Sequence, residues 1–371
     1  MKSSTVLIDE RSVVLGGHDI PGRWLRDHGD DSASLNPDTK QRLVDTFAIP
    51  SDIAPVAVAV SDGRLDVDWS DGAHTSHSIP ALERLVVTRR APETRPSFGL
   101  TVDDDLELWS SAPDVSWFDV SCFEDDAAWQ PAIEHMYRYG WVAFDGAELG
   151  DAASARLAAR IGYPRACIFG TLWNMNSGSF EHADSAYESG NLDVHTDGTY
   201  SHDAPGTIIF AQQRKTGEGG DSVLVDGFAA ARDFQVAEPE AADLLTRYSV
   251  RAHYIEPGVH LVAERPPLRV DECGVLQQVS FNNYDRSPLL PAVEVVDDVI
   301  EAYNAFRALF SSPDRALYHE WKPGRMLVFD NWRCFHGRTA FTGDRHFTGC
   351  YTNHEDLESA YRLAGLTPPV L

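Results

Sequence analysis

Cysteine is scarce in this chain of 371 residues, and its distribution argues against a disulfide-stabilised fold. The five cysteines are Cys122, Cys167, Cys273, Cys334 and Cys350. An odd and dispersed set is typical of free thiols in a reducing compartment rather than of a disulfide framework. We therefore expect a cytoplasmic protein.

Long apolar runs are also missing, which argues against a membrane protein. The sequence contains no run of about 18 apolar residues, the length that a membrane-spanning helix requires. The first ten residues have neither an apolar core nor a cleavage site of small residues. A secretory signal peptide is therefore not predicted.

Basic residues are few compared with acidic residues. The chain has 31 Lys and Arg residues against 57 Asp and Glu residues, a formal net charge of −26. This charge argues against a nucleic-acid partner, because its phosphates would be repelled. The acidic clusters at 103–105 and 124–126 are expected to be solvated surface groups.

Apolar and turn-forming residues divide the chain into two expected domains. Residues 1–95 are predicted to form a small β-rich N-terminal domain, because short apolar runs there alternate with turn signals. Residues 115–371 are predicted to form a second, mainly β domain with flanking helices. The stretch 89–113 between them is linker-like. Specific predictions are strands at 13–15, 56–60, 140–144 and 223–225, and helices at 127–139, 152–161, 237–248 and 297–310.

Two histidines and one aspartate form the most informative pattern. His195 and Asp197 are separated by one residue, which on a strand places both side chains on the same face. His336 follows far downstream. Two imidazoles and a carboxylate can hold Fe(II) on one face and leave the other face open. The triplet alone is a weak signal, and a hydrogen-bonded loop histidine is the alternative for His195.

An arginine nine residues after His336 adds to this pattern. The planar guanidinium of Arg345 suits bidentate binding of a carboxylate, as a dicarboxylic co-substrate requires. A metal beside such a group indicates oxygen chemistry driven by 2-oxoglutarate. The alternative for Arg345 is a surface arginine, and Arg338 is the second candidate for the carboxylate-binding role.

Five ordered blocks make the pattern specific. They are 195–200, 225–228, 281–286, 329–333 and 349–351. Together they resemble the Fe(II)/2-oxoglutarate dioxygenases of the taurine dioxygenase superfamily, and most closely the branch of γ-butyrobetaine hydroxylase and trimethyllysine hydroxylase. The resemblance extends from about residue 24 to the C-terminus.

The resemblance implies a fold and a set of cofactors. The fold would be a double-stranded β-helix (jelly roll), and the metal ligands would be His195, Asp197 and His336. Arg345 would bind the distal carboxylate of 2-oxoglutarate, with a hydrogen bond from Ser222. Fe(II), 2-oxoglutarate and O2 would be required, with ascorbate as reductant. Asp197 is present, so hydroxylation rather than halogenation is expected.

The family's N-terminal module holds a structural zinc ion through clustered cysteines and contributes to a homodimer. Here no cysteine precedes Cys122, so a sulfur-rich zinc site cannot form. His28, Asp30, His74 and His77 could hold a weaker ion, but a metal-free module is favoured. A homodimer is implied by the resemblance alone.

Substrate-binding positions also follow from the resemblance. An aromatic cage for a trimethylammonium group would consist of Phe169, Trp173, Tyr187 and Tyr351, and core packing is the alternative for each. Asn282, Asn283 and Arg286 would meet an anionic end of the substrate. Asp184 would pair with a substrate α-ammonium group, which trimethyllysine has and γ-butyrobetaine lacks, unless it serves only as a loop cap. A lid is expected at 170–190.

The sequence therefore predicts hydroxylation of a small quaternary-ammonium compound with an anionic end. Trimethyllysine-like substrates lead and γ-butyrobetaine-like substrates follow. Hydroxylation of a trimethylammonium phosphonate or of a free amino acid in specialised metabolism are alternatives. An inactive barrel with a binding or regulatory role is the non-enzyme alternative.

Overall fold

A computed structural model describes residues 6–88, 100–111, 113–114, 116–176, 189–288 and 294–367. Contacts between Cα atoms divide the chain into two compact units, whose described parts are 6–88 and the ranges from 100 onward. Each unit is described by itself.

The N-terminal unit contains two three-stranded antiparallel sheets. The predicted strands at 13–15 and 56–60 are confirmed. Apolar side chains that alternate along the strands, such as Leu65 and Val67, are fully buried in its core. Its elements are β1 (Val6–Asp9), β2 (Ser12–Leu15), β3 (His18–Pro21), α1 (Gly22–Asp27), β4 (Pro55–Ser61), β5 (Arg64–Trp69), β6 (His74–Ser78) and α2 (Ile79–Thr88).

The larger unit is mainly β, with helices flanking its sheets. Its elements up to the middle of the unit are β7 (Trp117–Asp119), α3 (Asp126–Tyr139), β8 (Trp141–Asp145), α4 (Asp151–Ile161), β9 (Trp173–Asn176), β10 (Leu192–His195), β11 (Thr207–Lys215), β12 (Ser222–Asp226), α5 (Gly227–Ala237) and α6 (Pro239–Arg247). The remainder are β13 (Val250–Glu256), β14 (Val259–Arg265), β15 (Leu268–Val270), β16 (Leu276–Val279), α7 (Val296–Phe310), β17 (Leu317–His319), β18 (Met326–Asp330), β19 (Cys334–Arg338), β20 (Arg345–Thr352) and α8 (His354–Leu363).

Two sheets form the centre of this unit. One has six strands in the order β7-β8-β18-β11-β20-β9, and the other has four in the order β10-β19-β12-β17. Strand β11 shows how the layers arise. Ile209 and Ala211 pack with residues of α3, α4 and α8, whereas Ile208 packs with Leu224 and Leu317 of the four-stranded sheet. Because side chains alternate along a strand, one core lies between the sheets and another beneath the helices.

The outer face of the four-stranded sheet carries α5, α6 and α7. The helices predicted at 127–139, 152–161, 237–248 and 297–310 are confirmed as α3, α4, α6 and α7, and the strands predicted at 140–144 and 223–225 as β8 and β12. Helix α5 was not predicted from the sequence. This helix begins where the Asp226 carboxylate accepts hydrogen bonds from the backbone N–H groups of Phe228 and Ala229, as an N-cap residue does.

A buried ion pair joins the start of α5 to the strand that carries His336. Arg333 Nη2 donates to Asp226 Oδ2 (2.8 Å) and Arg333 Nε donates to Asp226 Oδ1 (3.3 Å). The same guanidinium donates to the carbonyl oxygens of Arg138 and Glu107, each at 2.8 Å. Arg333 is 2% exposed and Asp226 1% exposed. Every charge in this contact therefore depends on its partners rather than on water.

Candidate active site

His195 and His336 lie on neighbouring strands of the four-stranded sheet and form a direct cross-strand pair. Strand β10 runs antiparallel to β19, with His195 opposite His336. Their ring centroids are 4.4 Å apart. Gly337 permits this approach, because a Cβ atom there would lie 2.6 Å from the Leu192 carbonyl oxygen. Two histidines separated by 141 positions in sequence thus meet at one point.

Asp197 completes the cluster. Its Oδ1 atom lies 3.3 Å from His195 Nε2 and 3.6 Å from His336 Nε2. Its Oδ2 atom accepts a hydrogen bond from the Tyr351 hydroxyl (2.8 Å). The backbone of Asp197 is fixed by Asn331, whose Oδ1 accepts from the Asp197 N–H and whose Nδ2 donates to the Asp197 carbonyl. Both carboxylate oxygens and the backbone of Asp197 are therefore held in place by neighbouring side chains.

The protonation of the three groups suits a metal ion. His195 Nδ1 donates to the Asp193 carbonyl oxygen (2.8 Å), which directs Nε2 at Asp197. Burial lowers the pKa of His336 to about 3, so this imidazole is neutral at physiological pH. Burial opposes ionisation of Asp197, but His336 and His195 together hold its pKa well below the usual value. Burial disfavours protonation of His195, but the interaction with Asp197 raises its pKa overall, and a bound metal ion would displace that proton. Two imidazoles and a carboxylate form the donor set of non-haem Fe(II) oxygenases.

Across the described part of the chain, His195, Asp197 and His336 form the one group of three metal-binding side chains with converging ligand atoms, all within 4.8 Å of one another. The four N-terminal candidates are engaged elsewhere. Asp30 pairs with Arg64. His74 contacts Asp68, His77 contacts Thr75, and His28 contacts the Trp24 carbonyl.

Two arginines line the cavity around this cluster. Arg338 ends β19 and Arg345 begins β20, and both contribute to the cavity wall. The Arg345 guanidinium lies 4.2 Å from the Phe347 ring centroid and 5.4 Å from that of Phe341. Burial lowers the pKa of Arg345 to about 9, and the charge of Arg338 acts in the same direction. Both groups remain cationic at neutral pH, so this part of the cavity suits an anion.

Ser222 does not contribute to the cavity wall. It pairs with Arg338 across β12 and β19, and its hydroxyl accepts a hydrogen bond from Trp321 Nε1 (2.9 Å). The hydroxyl proton remains available to a neighbouring acceptor. The predicted hydrogen bond to 2-oxoglutarate stays a prediction.

Aromatic side chains form another part of the wall. Phe169, Trp173 and Tyr351 all line the cavity. The ring centroids of Trp173 and Tyr351 are 5.8 Å apart. Gly349 makes room for the indole, because a Cβ atom there would lie 2.3 Å from Trp173 Cη2 and 2.2 Å from the Ile209 carbonyl oxygen. Three of the four predicted cage residues are therefore brought together. The fourth, Tyr187, lies outside the described residues, as do Asp184 and most of the predicted lid.

The tight turn at 282–286 separates the predicted polar substrate contacts. Asn282 lines the cavity, but Asn283 and Arg286 are exposed and line a different surface groove. Asn282 Oδ1 accepts from the Tyr284 N–H, an arrangement that reverses the chain within a few residues. Consequently Tyr284 and Asp285, rather than Asn283 and Arg286, face the metal cluster.

Comparison with known proteins agrees with this geometry. The model of the "Taurine catabolism dioxygenase TauD, TfdA family" matches residues 103–351. A trimethyllysine dioxygenase of Meyerozyma guilliermondii is 32% identical, and the alignment covers 94% of this chain and 91% of the relative.

This chain belongs to the TauD/TfdA family of dioxygenases.

Further relatives place the dioxygenase on one branch of the family. The mitochondrial trimethyllysine dioxygenase of Homo sapiens is 31% identical, with 92% of this chain and 82% of the relative covered. A gamma-butyrobetaine dioxygenase of a Pseudomonas species is 27% identical over 91% of this chain and 88% of the relative. The predicted resemblance to the trimethyllysine and γ-butyrobetaine hydroxylase branch is confirmed. Among the described helices of this dioxygenase, none has the length and apolar character needed to cross a membrane.

The cavity-wall residues that sequence reasoning missed include Tyr200, Tyr254, Tyr284 and Asp285. Tyr200, Tyr284 and Asp285 lie inside two of the blocks that carried the family resemblance, so the signal was present but unassigned. Tyr254 lies on the β13–β14 hairpin and meets Tyr200 with ring centroids 5.1 Å apart. No spacing in the sequence links these two tyrosines, because their contact depends on long-range packing.

Proposed function

We propose that this dioxygenase is an Fe(II)- and 2-oxoglutarate-dependent hydroxylase of a small quaternary-ammonium substrate with an anionic end. One observation carries the proposal. His195, Asp197 and His336 converge in a cavity that also contains two arginine side chains and a set of aromatic rings.

Each part of the cavity has a role in this proposal. His195 Nε2, Asp197 Oδ1 and His336 Nε2 would hold Fe(II). Iron with 2-oxoglutarate and O2 supplies the oxidising power for hydroxylation when bound. Arg345 binds the distal carboxylate of 2-oxoglutarate, Ser222 supports it, and the positive charge of Arg338 adds to the attraction. The hydrogen bond from Tyr351 keeps Asp197 oriented toward the ion.

The aromatic wall and the relatives support the substrate class. Trp173, Tyr351 and Phe169 line the cavity, and an aromatic face attracts a trimethylammonium group by about 0.5–2 kcal/mol. The relatives at 27–32% identity are named trimethyllysine dioxygenase and gamma-butyrobetaine dioxygenase. Trimethyllysine-like compounds are the first choice of substrate and γ-butyrobetaine-like compounds the second.

Succinate release tests the proposal. The purified protein is loaded anaerobically with Fe(II) and 2-oxoglutarate, and oxygen is then added with each compound of a betaine panel. We expect quaternary-ammonium compounds to stimulate succinate release, and H336A to abolish it. E358Q is a matched surface control, because it alters an exposed pair with Arg362.

Two outcomes contradict different parts of the proposal. If no quaternary-ammonium compound stimulates succinate release, the substrate class is wrong while the cofactor assignment stands. If the protein binds neither Fe(II) nor 2-oxoglutarate, the reaction itself is wrong and an inactive barrel with a binding role is the better interpretation.

Several finer features belong to the same proposal. The two central sheets of the larger unit are interpreted as a double-stranded β-helix, with domain boundaries at 1–95 and 115–371. The N-terminal domain is proposed to be free of metal. The enzyme is proposed to be a cytoplasmic homodimer that uses ascorbate as reductant; all five of its cysteines are free, as a reducing compartment requires.

A further inference from the structure

The cavity wall contains a second carboxylate besides the metal ligand Asp197. Asp285 lies on this wall, in the turn between β16 and α7. The sequence predicted that this turn would present Asn283 and Arg286 to an anionic group. The structure places both of those residues on another surface, so the turn contributes negative rather than positive charge to the cavity.

Two neutral side chains orient the Asp285 carboxylate. Thr199 Oγ1 and Asn282 Nδ2 both donate to its Oδ2 atom, at 3.0 and 2.8 Å. Thr199 follows the metal ligand Asp197 by two positions, so the carboxylate is tied to the metal-binding loop. The backbone carbonyl of Asp285 accepts from the His253 N–H (2.9 Å), which attaches the turn to β13 beside Tyr254.

The two cationic groups of a trimethyllysine-like substrate require different binding partners, and the cavity wall contains both kinds. A trimethylammonium group has no N–H and is best held by aromatic faces. An α-ammonium group has three N–H donors and is best held by an oriented carboxylate. The wall offers both, since Phe169, Trp173 and Tyr351 supply rings and Asp285 supplies the carboxylate.

On the basis of the proposed function, we propose that Asp285 binds the α-ammonium group of an amino-acid substrate and thereby selects trimethylated amino acids over betaines that lack an α-amine. Asn282 is then a positioning residue, because its amide donates to Asp285 and its carbonyl oxygen accepts from the backbone of the turn. In the sequence analysis this role was assigned to Asp184 instead.

The test compares Nε-trimethyllysine with 6-trimethylammoniohexanoate, which has the same chain without the α-amine. Substrate-dependent succinate release gives kcat/KM for each compound. We expect the wild-type protein to favour trimethyllysine by about 10- to 100-fold, the ratio that a charge-assisted hydrogen bond supplies. D285N should lose most of this preference through the trimethyllysine value alone, because asparagine retains an oxygen acceptor for Thr199 and Asn282.

Controls distinguish a binding role from a structural one. D203N removes the same charge from an exposed loop residue that pairs with Arg165, and should leave the preference unchanged. The KM for 2-oxoglutarate should be the same in D285N as in the wild type, because the metal ligands and the arginines are intact. D184N is measured in parallel.

Three results would overturn the inference. The first is a wild-type ratio of the two kcat/KM values near one, a result that can be obtained without any variant. The second is an equal loss of kcat/KM for both compounds in D285N, which would show that Asp285 only stabilises the turn. The third is loss of the preference in D184N but not in D285N. If neither compound stimulates succinate release by the wild type, the proposed function fails first, and this inference fails with it.

Discussion

The ion pair between Arg333 and Asp226 leads to a stability prediction that the structure allows us to work out. R333M keeps most of the side-chain length but removes every donor of the guanidinium. The buried Asp226 carboxylate would lose its cationic partner, and two backbone carbonyls would lose their donor. Breaking a buried pair by removal of one partner costs about 3–5 kcal/mol.

The expected loss lies at the lower end of this range. Asp226 retains three backbone donors, from Trp109, Phe228 and Ala229, which continue to stabilise its charge. A loss of about 3 kcal/mol corresponds to a fall in Tm of roughly 6–12 °C for a domain of this size. The measurement is urea and thermal unfolding without Fe(II) or 2-oxoglutarate, because bound ligands would add to the apparent stability.

A double-mutant cycle tests the reasoning behind this value. D226N keeps an oxygen acceptor for the cap of α5 but removes the charge. R333M with D226N should therefore be less destabilised than the sum of the single variants, by at least about 1 kcal/mol. R362M is the matched control, because its ion pair with Glu358 is exposed and should change the free energy of unfolding by less than about 0.5 kcal/mol. Additive losses, or an R333M protein as stable as the wild type, would refute the argument.

Three other predictions concern the cavity and the N-terminal unit. R345K should raise the KM for 2-oxoglutarate about 10- to 100-fold in steady-state kinetics, because a lysine cannot make the bidentate contact. An unchanged KM would indicate that Arg338, rather than Arg345, binds the distal carboxylate. Y351F should weaken Fe(II) binding about tenfold in an anaerobic titration, since Asp197 loses a hydrogen bond, while the substrate KM changes by less than about threefold because the ring remains. Burial lowers the pKa of His77 to about 4, so its stabilising effect is complete above pH 6.5 and is lost as the pH falls toward 4. The free energy of unfolding lost over this pH range is about 3 kcal/mol. In H77Q, the free energy of unfolding of the N-terminal unit should therefore depend less on pH.

The metal cluster could be predicted from the sequence because its geometry is largely local. Strand β10 ends at His195, and Asp197 follows only two residues later in the adjoining loop, so only the pairing of β10 with β19 is needed to add His336. The helices α3 and α7 followed from apolar periodicity in the same way. Such features depend on few long-range contacts.

The polar part of the cavity could not be predicted in the same way. Within the tight turn at 282–286, the direction of each side chain changes from one residue to the next. Asn283, which the sequence assigned to the substrate, therefore lines another surface, whereas Asp285, which had no assigned role, lines the cavity. Helix α5 was missed for a related reason: its start is defined by the Asp226 cap and by packing against β12 and β19, and not by a strong sequence period.

Tyr351 contacts the metal ligand with its hydroxyl and the aromatic wall with its ring. Efforts to redesign which compounds this enzyme accepts would therefore meet a conflict at this position. Replacing Tyr351 with a smaller or aliphatic side chain to admit a bulkier cation would also release one oxygen of Asp197 and lower iron occupancy. Variant libraries should accordingly begin at Trp173 and leave Tyr351 intact, so that altered selectivity is not confused with loss of iron.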